Sequence, residues 1–210
     1  MAKTTSRQWT TRIKRIKPIV FVLCGIPAGL LVFDIFTGNI SADPIEDMTR
    51  VTGIWGLRLI VLTLAITPLR QITGINQLIL LRRMLGVYAF FYITLHFLTW
   101  FVVDNYFDFQ RIIEDIIERY YILFGSLAFM MMIPLAITST NGMVRRLGGK
   151  RWAKLHKLVY ILSILGVLHF YLQVKADITE PVIYAAILAA LLGYRVWKSR
   201  QPATKKPARS

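Results

Sequence analysis

Three histidines, His96, His156 and His169, are the residues of this sequence best suited to metal or proton chemistry. His96 and His169 lie inside long apolar runs, where an ionisable side chain is costly and usually functional. A purely structural, hydrogen-bonding role is the alternative for each histidine taken alone. The sequence has no Cys-x-x-Cys-His motif, and Cys24 is its one cysteine. A haem held by these histidines would therefore be non-covalent and of the b type.

Six apolar runs are long enough to cross a bilayer, and they must position these histidines. They are Pro18–Phe36, Gly53–Leu69, Met84–Val103, Tyr120–Ile137, Leu158–Val174 and Val182–Tyr194. The composition, 55% hydrophobic and 18% charged, excludes a water-soluble globule and a disordered chain. No alternation of the barrel type is present, and unpaired strands cannot cross lipid. The sequence therefore predicts an all-α integral membrane protein with a six-helix transmembrane bundle.

Basic and acidic residues lie on opposite sides of this bundle. The basic segments, with 21 Lys and Arg residues and no acidic residue, are 1–17, 68–83, 138–157 and 195–210. The alternate segments, with 4 basic and 10 acidic residues, are 37–52, 104–119 and 175–181. The positive-inside rule then places both termini in the cytoplasm. The net charge of +15 is explained by topology and contact with anionic lipid, so we expect no nucleic-acid partner.

The predicted organisation has three parts. Residues 1–17 form a basic cytoplasmic N-terminus, 18–197 the transmembrane domain, and 198–210 a disordered basic cytoplasmic tail. A basic stretch before an apolar run also describes a signal peptide. We expect the first helix to be retained, because its 19 residues exceed the ~7–15 of a signal-peptide apolar region. Its removal would leave five spans.

Helix rise brings His96 and His169 to one depth. His96 lies 13 residues beyond Arg83, and His169 lies 12 residues beyond Lys157, on two helices that both start on the basic side. At ~1.5 Å per residue these depths are ~20 and ~18 Å. Two facing imidazoles inside a bundle can be the axial ligands of haem iron. We predict one such haem, nearer the acidic side.

His156 lies at the basic edge of the helix that carries His169, level with Arg82. It is either the ligand of a second haem with a non-histidine partner or an interfacial histidine among Lys and Arg. On a straight helix, the side chains of His156 and His169 would point ~140° apart, which argues against a shared face. The number of haems therefore stays open at one or two.

Two further features carry charge at membrane depth or at its edge. Arg58, about one and a half turns into the second span, either snorkels to the interface, forms a salt bridge or holds a haem propionate.

The segment Asp108–Arg119 has apolar residues at three- and four-residue steps, which predicts an amphipathic helix on the outer membrane face. Its charge of −2 favours docking of a basic partner; anchoring of the next span is the alternative. We find no internal repeat.

An ordered set of motifs resembles the ferric-reductase-like transmembrane superfamily and, more closely, the MsrQ (YedZ) family. The motifs are Ala42-Asp-Pro-Ile, Ile66-Thr-Pro-Leu-Arg70, Arg82-Arg83-Met-Leu-Gly86, Leu95-His96, Leu135-Ala-Ile-Thr-Ser-Thr140, Gly149-Lys-Arg-Trp-Ala-Lys-Leu-His156-Lys-Leu-Val-Tyr160 and His169. Superfamily members often carry two haems on paired histidines. Here His96, His169 and His156 match three of the four positions, and the fourth falls at or near Arg82.

The resemblance implies an electron-transfer subunit of an oxidoreductase in the bacterial inner membrane, with haem b and FMN as cofactors. It implies that electrons pass from the quinone pool, or another donor, to a periplasmic MsrP-like molybdenum enzyme, with which the chain forms a heterodimer. That enzyme reduces methionine sulfoxide in oxidised periplasmic proteins. Two alternatives stay open: a stand-alone membrane oxidoreductase acting on ferric chelates or quinone, and a non-redox transporter whose histidines move protons.

Overall fold

A computed structural model describes residues 2–201, which fold into nine α-helices and contain no strand. The helices are α1 (Ala2–Thr37), α2 (Pro44–Thr73), α3 (Ile79–Leu98), α4 (Phe109–Glu118), α5 (Tyr120–Ile137), α6 (Asn141–Leu147), α7 (Gly149–Leu155), α8 (Leu158–Gln173) and α9 (Thr179–Arg200). A 3₁₀ turn, Asn76–Leu78, precedes α3, and a π-helix, Thr99–Asp104, follows it. Most of the predicted disordered tail, residues 202–210, lies outside the described residues.

Six helical stretches within residues 2–201 are long and apolar enough to cross a membrane. They are Ser6–Thr37, Pro44–Thr73, Asn76–Asp104, Tyr120–Ile137, Gly149–Gln173 and Thr179–Arg200. The six predicted spans are thus confirmed, most with longer ends. The fifth span is not one straight helix, because a turn at His156 and Lys157 separates α7 from α8.

Helix α2 begins nine residues before the predicted span. The Asp43 carboxylate accepts a hydrogen bond from the Glu46 amide at 3.0 Å, and Pro44 occupies the first turn, which are common signals of a helix start. The helix ends at Gly74, whose φ of 71° is left-handed. Arg58 is therefore 14 residues, or ~21 Å, from the start of its helix, and about one and a half turns from Gly53, where the predicted apolar span begins.

Two antiparallel helix pairs form the centre of the bundle. Helix α2 packs along α3, and α5 packs along α8, while α1 and α9 lie against these pairs. Leu59, Leu64 and Leu162 are fully buried between them. Apolar side chains on the outer surfaces, such as Val22 and Leu30, are more than half exposed, as lipid-facing positions would be.

Tyr92 of α3 joins α1 to the bundle. Its buried hydroxyl donates to the Cys24 carbonyl at 2.7 Å and accepts from the Ala28 amide at 3.0 Å. In an unbroken helix that amide would bond to that carbonyl, so the hydroxyl is inserted into the hydrogen-bond ladder of α1. Pro27 lies in the same turn, where the ladder already lacks a donor.

Helix α4 confirms the predicted amphipathic segment. Asp108 caps it, with its carboxylate accepting from the amides of Gln110 and Arg111 at 3.1 Å each. Ile112 is buried on one face, whereas Ile113 is more than half exposed. Its acidic residues do not all face outward, because Asp115 is buried and lies 3.3 Å from the Arg119 guanidinium.

Candidate functional site

The imidazole rings of His96 and His169 meet inside the bundle. His96 lies near the end of α3 and His169 near the end of α8, and their ring centroids are 5.9 Å apart with the planes at 83°. Both side chains are partly buried. The structure therefore brings together the two histidines that helix rise placed at one depth.

Each imidazole is fixed through its Nδ1 atom. Nδ1 of His96 lies 2.9 Å from the Thr49 carbonyl oxygen, and Nδ1 of His169 lies 2.7 Å from the Tyr121 carbonyl oxygen. A carbonyl oxygen only accepts hydrogen bonds, so Nδ1 carries the proton in both rings. Nε2 is then the unprotonated nitrogen, which is the form that binds a metal.

A glycine of the neighbouring helix lies against each ring. A Cβ atom at Gly53 would lie 2.9 Å from Nδ1 of His96, and one at Gly125 would lie 2.8 Å from Nδ1 of His169. Each glycine follows the residue with the bonding carbonyl by four positions, one helical turn. These glycines let α2 and α5 approach the histidine helices closely enough for the hydrogen bonds to form.

The two helix pairs thus repeat one arrangement, which the sequence analysis did not detect. Gly53 precedes His96 by 43 residues, and Gly125 precedes His169 by 44. This near-equal spacing is the signal in the sequence. The spacing can be interpreted only when it is known that α2 packs against α3 and α5 against α8. Hydropathy alone does not show which helices pack together.

The histidine pair fits a haem better than a metal held by protein ligands alone. The described residues contain no group of three or more His, Cys, Asp or Glu side chains that could hold a metal ion. A haem needs only two axial ligands from the protein. His96 and His169, whose ring centroids are 5.9 Å apart, would supply these two ligands.

Phe97, the residue after His96, belongs to an aromatic cluster. Its ring stacks on Phe129 at 4.5 Å between centroids and on Phe101 at 5.4 Å. These stacked rings make the surroundings of Phe97 apolar.

Arg58 is held inside the bundle by aromatic residues. Its Nε donates to the Tyr184 hydroxyl at 3.0 Å, and its guanidinium lies 4.9 Å from the centroid of the Trp55 ring. Arg58 belongs to neither of the two ion pairs found within residues 2–201. The salt-bridge interpretation of Arg58 is therefore not supported, and its contacts are with Trp55 and Tyr184 instead.

His156 has a different environment on the basic side. Its Nε2 lies 3.1 Å from the Thr138 hydroxyl, and its ring stacks on Trp152 with centroids 3.9 Å apart. The turn at His156 also invalidates the straight-helix angle used to relate it to His169. Neither His156 nor Arg82 belongs to the His96 and His169 pair.

Comparisons with known proteins identify the family of this chain. The model of the family described as "Ferric reductase like transmembrane component" matches residues 52–167. The heme-binding subunit MsrQ of a protein-methionine-sulfoxide reductase from Ralstonia nicotianae is 50% identical over 187 residues, covering 88% of this chain and 86% of that protein. The MsrQ subunit of Herminiimonas arsenicoxydans is 47% identical over 195 residues, covering 92% and 89%.

A third relative aligns with the whole chain. The MsrQ subunit of Xanthomonas oryzae pv. oryzae is 43% identical over 216 aligned positions, which cover 100% of this chain and 96% of that protein. No solved structure gives a significant match. The chain therefore belongs to the MsrQ family of ferric-reductase-like transmembrane proteins.

Proposed function

We propose that this protein is a b-type cytochrome subunit that carries electrons across the bacterial inner membrane. In this proposal, electrons come from the quinone pool and leave to a periplasmic MsrP-like catalytic subunit, which reduces methionine sulfoxide in proteins. The observation that carries the proposal is the pair of imidazoles, His96 and His169, each with Nδ1 on a carbonyl and Nε2 free. The names of the relatives, all heme-binding subunits of methionine-sulfoxide reductases, support it.

The residues of the chain hold and tune the cofactor. A bound haem supplies reversible one-electron chemistry. The Thr49 and Tyr121 carbonyls fix the ring orientation of His96 and His169, and hydrogen bonds of this kind raise the basicity of the ligating nitrogen. Arg58 places a positive charge within the bundle, and its planar fork suits a propionate carboxylate.

We propose one haem for each chain. The described residues provide one facing histidine pair, and Nε2 of His156 is already within hydrogen-bond distance of Thr138. Arg82, at the position where superfamily members place a fourth histidine, is no ordinary haem ligand, because its guanidinium stays protonated. A second haem on the basic side, held by His156 and Arg82, is therefore not part of this proposal.

Charge partition supports the direction of transfer. The described basic segments lie at the N-terminal ends of α3 and α8 and the C-terminal ends of α2 and α9, and the acidic segments lie at the opposite ends. The positive-inside rule places the basic side, and with it both termini, in the cytoplasm. The contact of Tyr92 with α1 supports retention of the first helix. The histidine pair then lies nearer the periplasm, where the acceptor would be.

The family resemblance also implies FMN, whose phosphate requires a site. The described residues offer no glycine-rich loop of the kind that cradles phosphate at a helix N-terminus. Because that loop is missing, we assign no electron-transfer step to a flavin. Arginine side chains are the other common phosphate ligands in proteins.

Reconstitution tests the proposed function. The full chain is placed in vesicles with a menaquinol or ubiquinol analogue, and reduction of the b-type absorption band is followed before and after addition of the catalytic subunit and a methionine-sulfoxide substrate. We expect quinol to reduce the band and the partner to reoxidise it, with formation of methionine. Equal reoxidation by a ferric chelate without the partner would favour a stand-alone reductase, and a protein purified without haem would favour the transporter.

A further inference from the structure

The chain between the π-helix and α4 makes a strained turn that displays three aromatic side chains. Tyr106 and Phe107 have φ values of 48° and 61°, and they are the two non-glycine residues with positive φ within residues 2–201. Bulky residues rarely adopt this conformation. The side chains of Tyr106, Phe107 and Phe109 are all more than half exposed. We call these three residues the aromatic turn.

Hydrogen bonds hold this turn in place despite its strain. Asn105 is fully buried, and its Nδ2 and its backbone amide both donate to the Trp100 carbonyl, at 3.0 and 3.1 Å. The Phe107 amide donates to the Phe101 carbonyl at 3.3 Å. Strained conformations persist only where the surroundings enforce them, and they concentrate at functional sites. The strain therefore points to a function for the display of these rings.

A row of packed rings joins the aromatic turn to the histidine pair. Phe97, which follows His96 in the chain, stacks on Phe101 with centroids 5.4 Å apart. The Phe101 ring in turn lies 5.5 Å from Phe107 and 5.9 Å from Phe109, edge to face in both cases. Two ring contacts therefore lead from the neighbour of a proposed haem ligand to the exposed surface. A partner seated on this surface would lie close to the haem, which favours electron transfer because its rate falls steeply with distance.

The aromatic turn lies at the outer boundary of the membrane. Asp104, just before it, is 21 residues beyond Arg83, or ~32 Å of helix, which is enough to cross the ~30 Å hydrocarbon core. Asp104 and Asp108 flank the first two rings of the turn, and no Lys or Arg lies between them. These carboxylates repel the headgroups of anionic phospholipids. They complement a protein surface that has Lys or Arg around an apolar patch.

We propose that the aromatic turn is the contact on which the periplasmic catalytic subunit docks. This proposal rests on the proposed function, because it names where the electron acceptor of that function binds. Aromatic side chains are enriched at the centres of protein interfaces, where they bury a large apolar area. The surface of the partner that fits this turn is an apolar pocket with basic residues around it.

The affinity of the purified catalytic subunit for the full, haem-loaded chain in nanodiscs tests the proposal. We expect Phe107→Ala and Phe109→Ala each to raise the Kd at least tenfold. Phe36→Ala, an exposed aromatic at the outer end of α1, is the matched control and should leave the Kd unchanged. Wild-type affinity in both Phe107→Ala and Phe109→Ala would overturn this proposal alone. Absence of binding by the wild-type chain would overturn the proposed function together with it.

The variant Tyr106→Gly separates docking from a role in the fold. Tyr106 is 77% exposed, so its loss removes little packing, and glycine adopts a φ of 48° without strain. We expect this variant to unfold at the wild-type temperature or above it, and to bind the catalytic subunit severalfold more weakly. A lower unfolding temperature with unchanged binding would show that the ring supports the fold, and would contradict its role in docking.

A fluorescent label on Tyr106→Cys in a Cys24→Ala background distinguishes the partner from lipid. We expect iodide in the water phase to quench the label, and the catalytic subunit to shield the label from iodide. Strong quenching by doxyl-labelled lipid, with no change when the catalytic subunit is added, would show that lipid covers the turn. That result would overturn the proposal and make the aromatic turn a membrane anchor.

Discussion

The imidazole of His96 packs directly on Gly53, with 2.9 Å between Nδ1 and the place where a Cβ atom of residue 53 would lie. Gly125 has the same relationship to His169 at 2.8 Å. Two glycines in separate helices therefore set the position of two neighbouring rings, whose centroids are 5.9 Å apart. Both glycines have negative φ and need no unusual backbone conformation. Glycine is therefore needed at these positions because the helices approach each other closely.

Alanine at either glycine should disturb the haem. A glycine-to-alanine change inside a helix usually stabilises a protein by ~0.5–1 kcal/mol, so loss of haem here would come from the clash with the ring. We expect Gly53→Ala and Gly125→Ala to lower the haem content of purified protein at least twofold or to shift its low-spin signals. Gly166→Ala is the matched control, because a Cβ atom there would meet nothing within 4 Å. Unchanged haem content and spectra in both glycine variants would show that the rings adjust freely.

Removal of the Arg58 charge should lower the midpoint potential of the haem. The ferric state carries one more positive charge than the ferrous state, so a nearby cation disfavours it. A change of ~1 kcal/mol corresponds to ~40 mV for a one-electron couple, and we expect Arg58→Gln to lower the potential by tens of millivolts. Arg111→Gln, exposed on α4, is the control for charge in general. If redox titration gives the wild-type potential for Arg58→Gln, then Arg58 only packs between Trp55 and Tyr184.

The topology is testable by cysteine labelling in a Cys24→Ala background. Asn39 and Lys150 are exposed, on the acidic and basic sides respectively. We expect Asn39→Cys to react with an impermeant reagent added outside intact cells, and Lys150→Cys to react only after lysis. Asn105 is unsuitable for this purpose because it is buried. The reverse labelling pattern would place the termini in the periplasm.

Neutralising the exposed acids of α4 should slow electron delivery to the periplasmic partner. The variant combines Asp108→Asn, Glu114→Gln and Glu118→Gln, and Asn keeps the helix cap at residue 108. Asp115 is left unchanged, because it is buried beside Arg119. We expect a severalfold lower transfer rate and a weaker dependence on salt, with the haem spectrum intact. Glu46→Gln, an exposed acid in the first turn of α2, is the control, and an unchanged rate and salt dependence would make α4 a membrane anchor.

Hydropathy and helix rise were enough to predict the six spans and the depth of the histidine pair, since both depend only on position along a helix. The start of α2 was missed because its first turns carry Glu46, Asp47 and Arg50, which end the apolar run but not the helix. The turn at His156 was missed because neither residue of the turn is Pro or Gly. Contacts between helices, such as Gly53 with His96, require knowledge of which helices pair.

Haem quantification with electron paramagnetic resonance on histidine variants tests the central claim most directly. We predict one low-spin haem for each wild-type chain, none in His96→Ala or His169→Ala, and a retained haem in His156→Ala, whose ring lies apart from the pair. Thermal unfolding of each variant establishes that the chain is still folded. A folded His96→Ala or His169→Ala protein that keeps a full complement of low-spin haem would contradict the account.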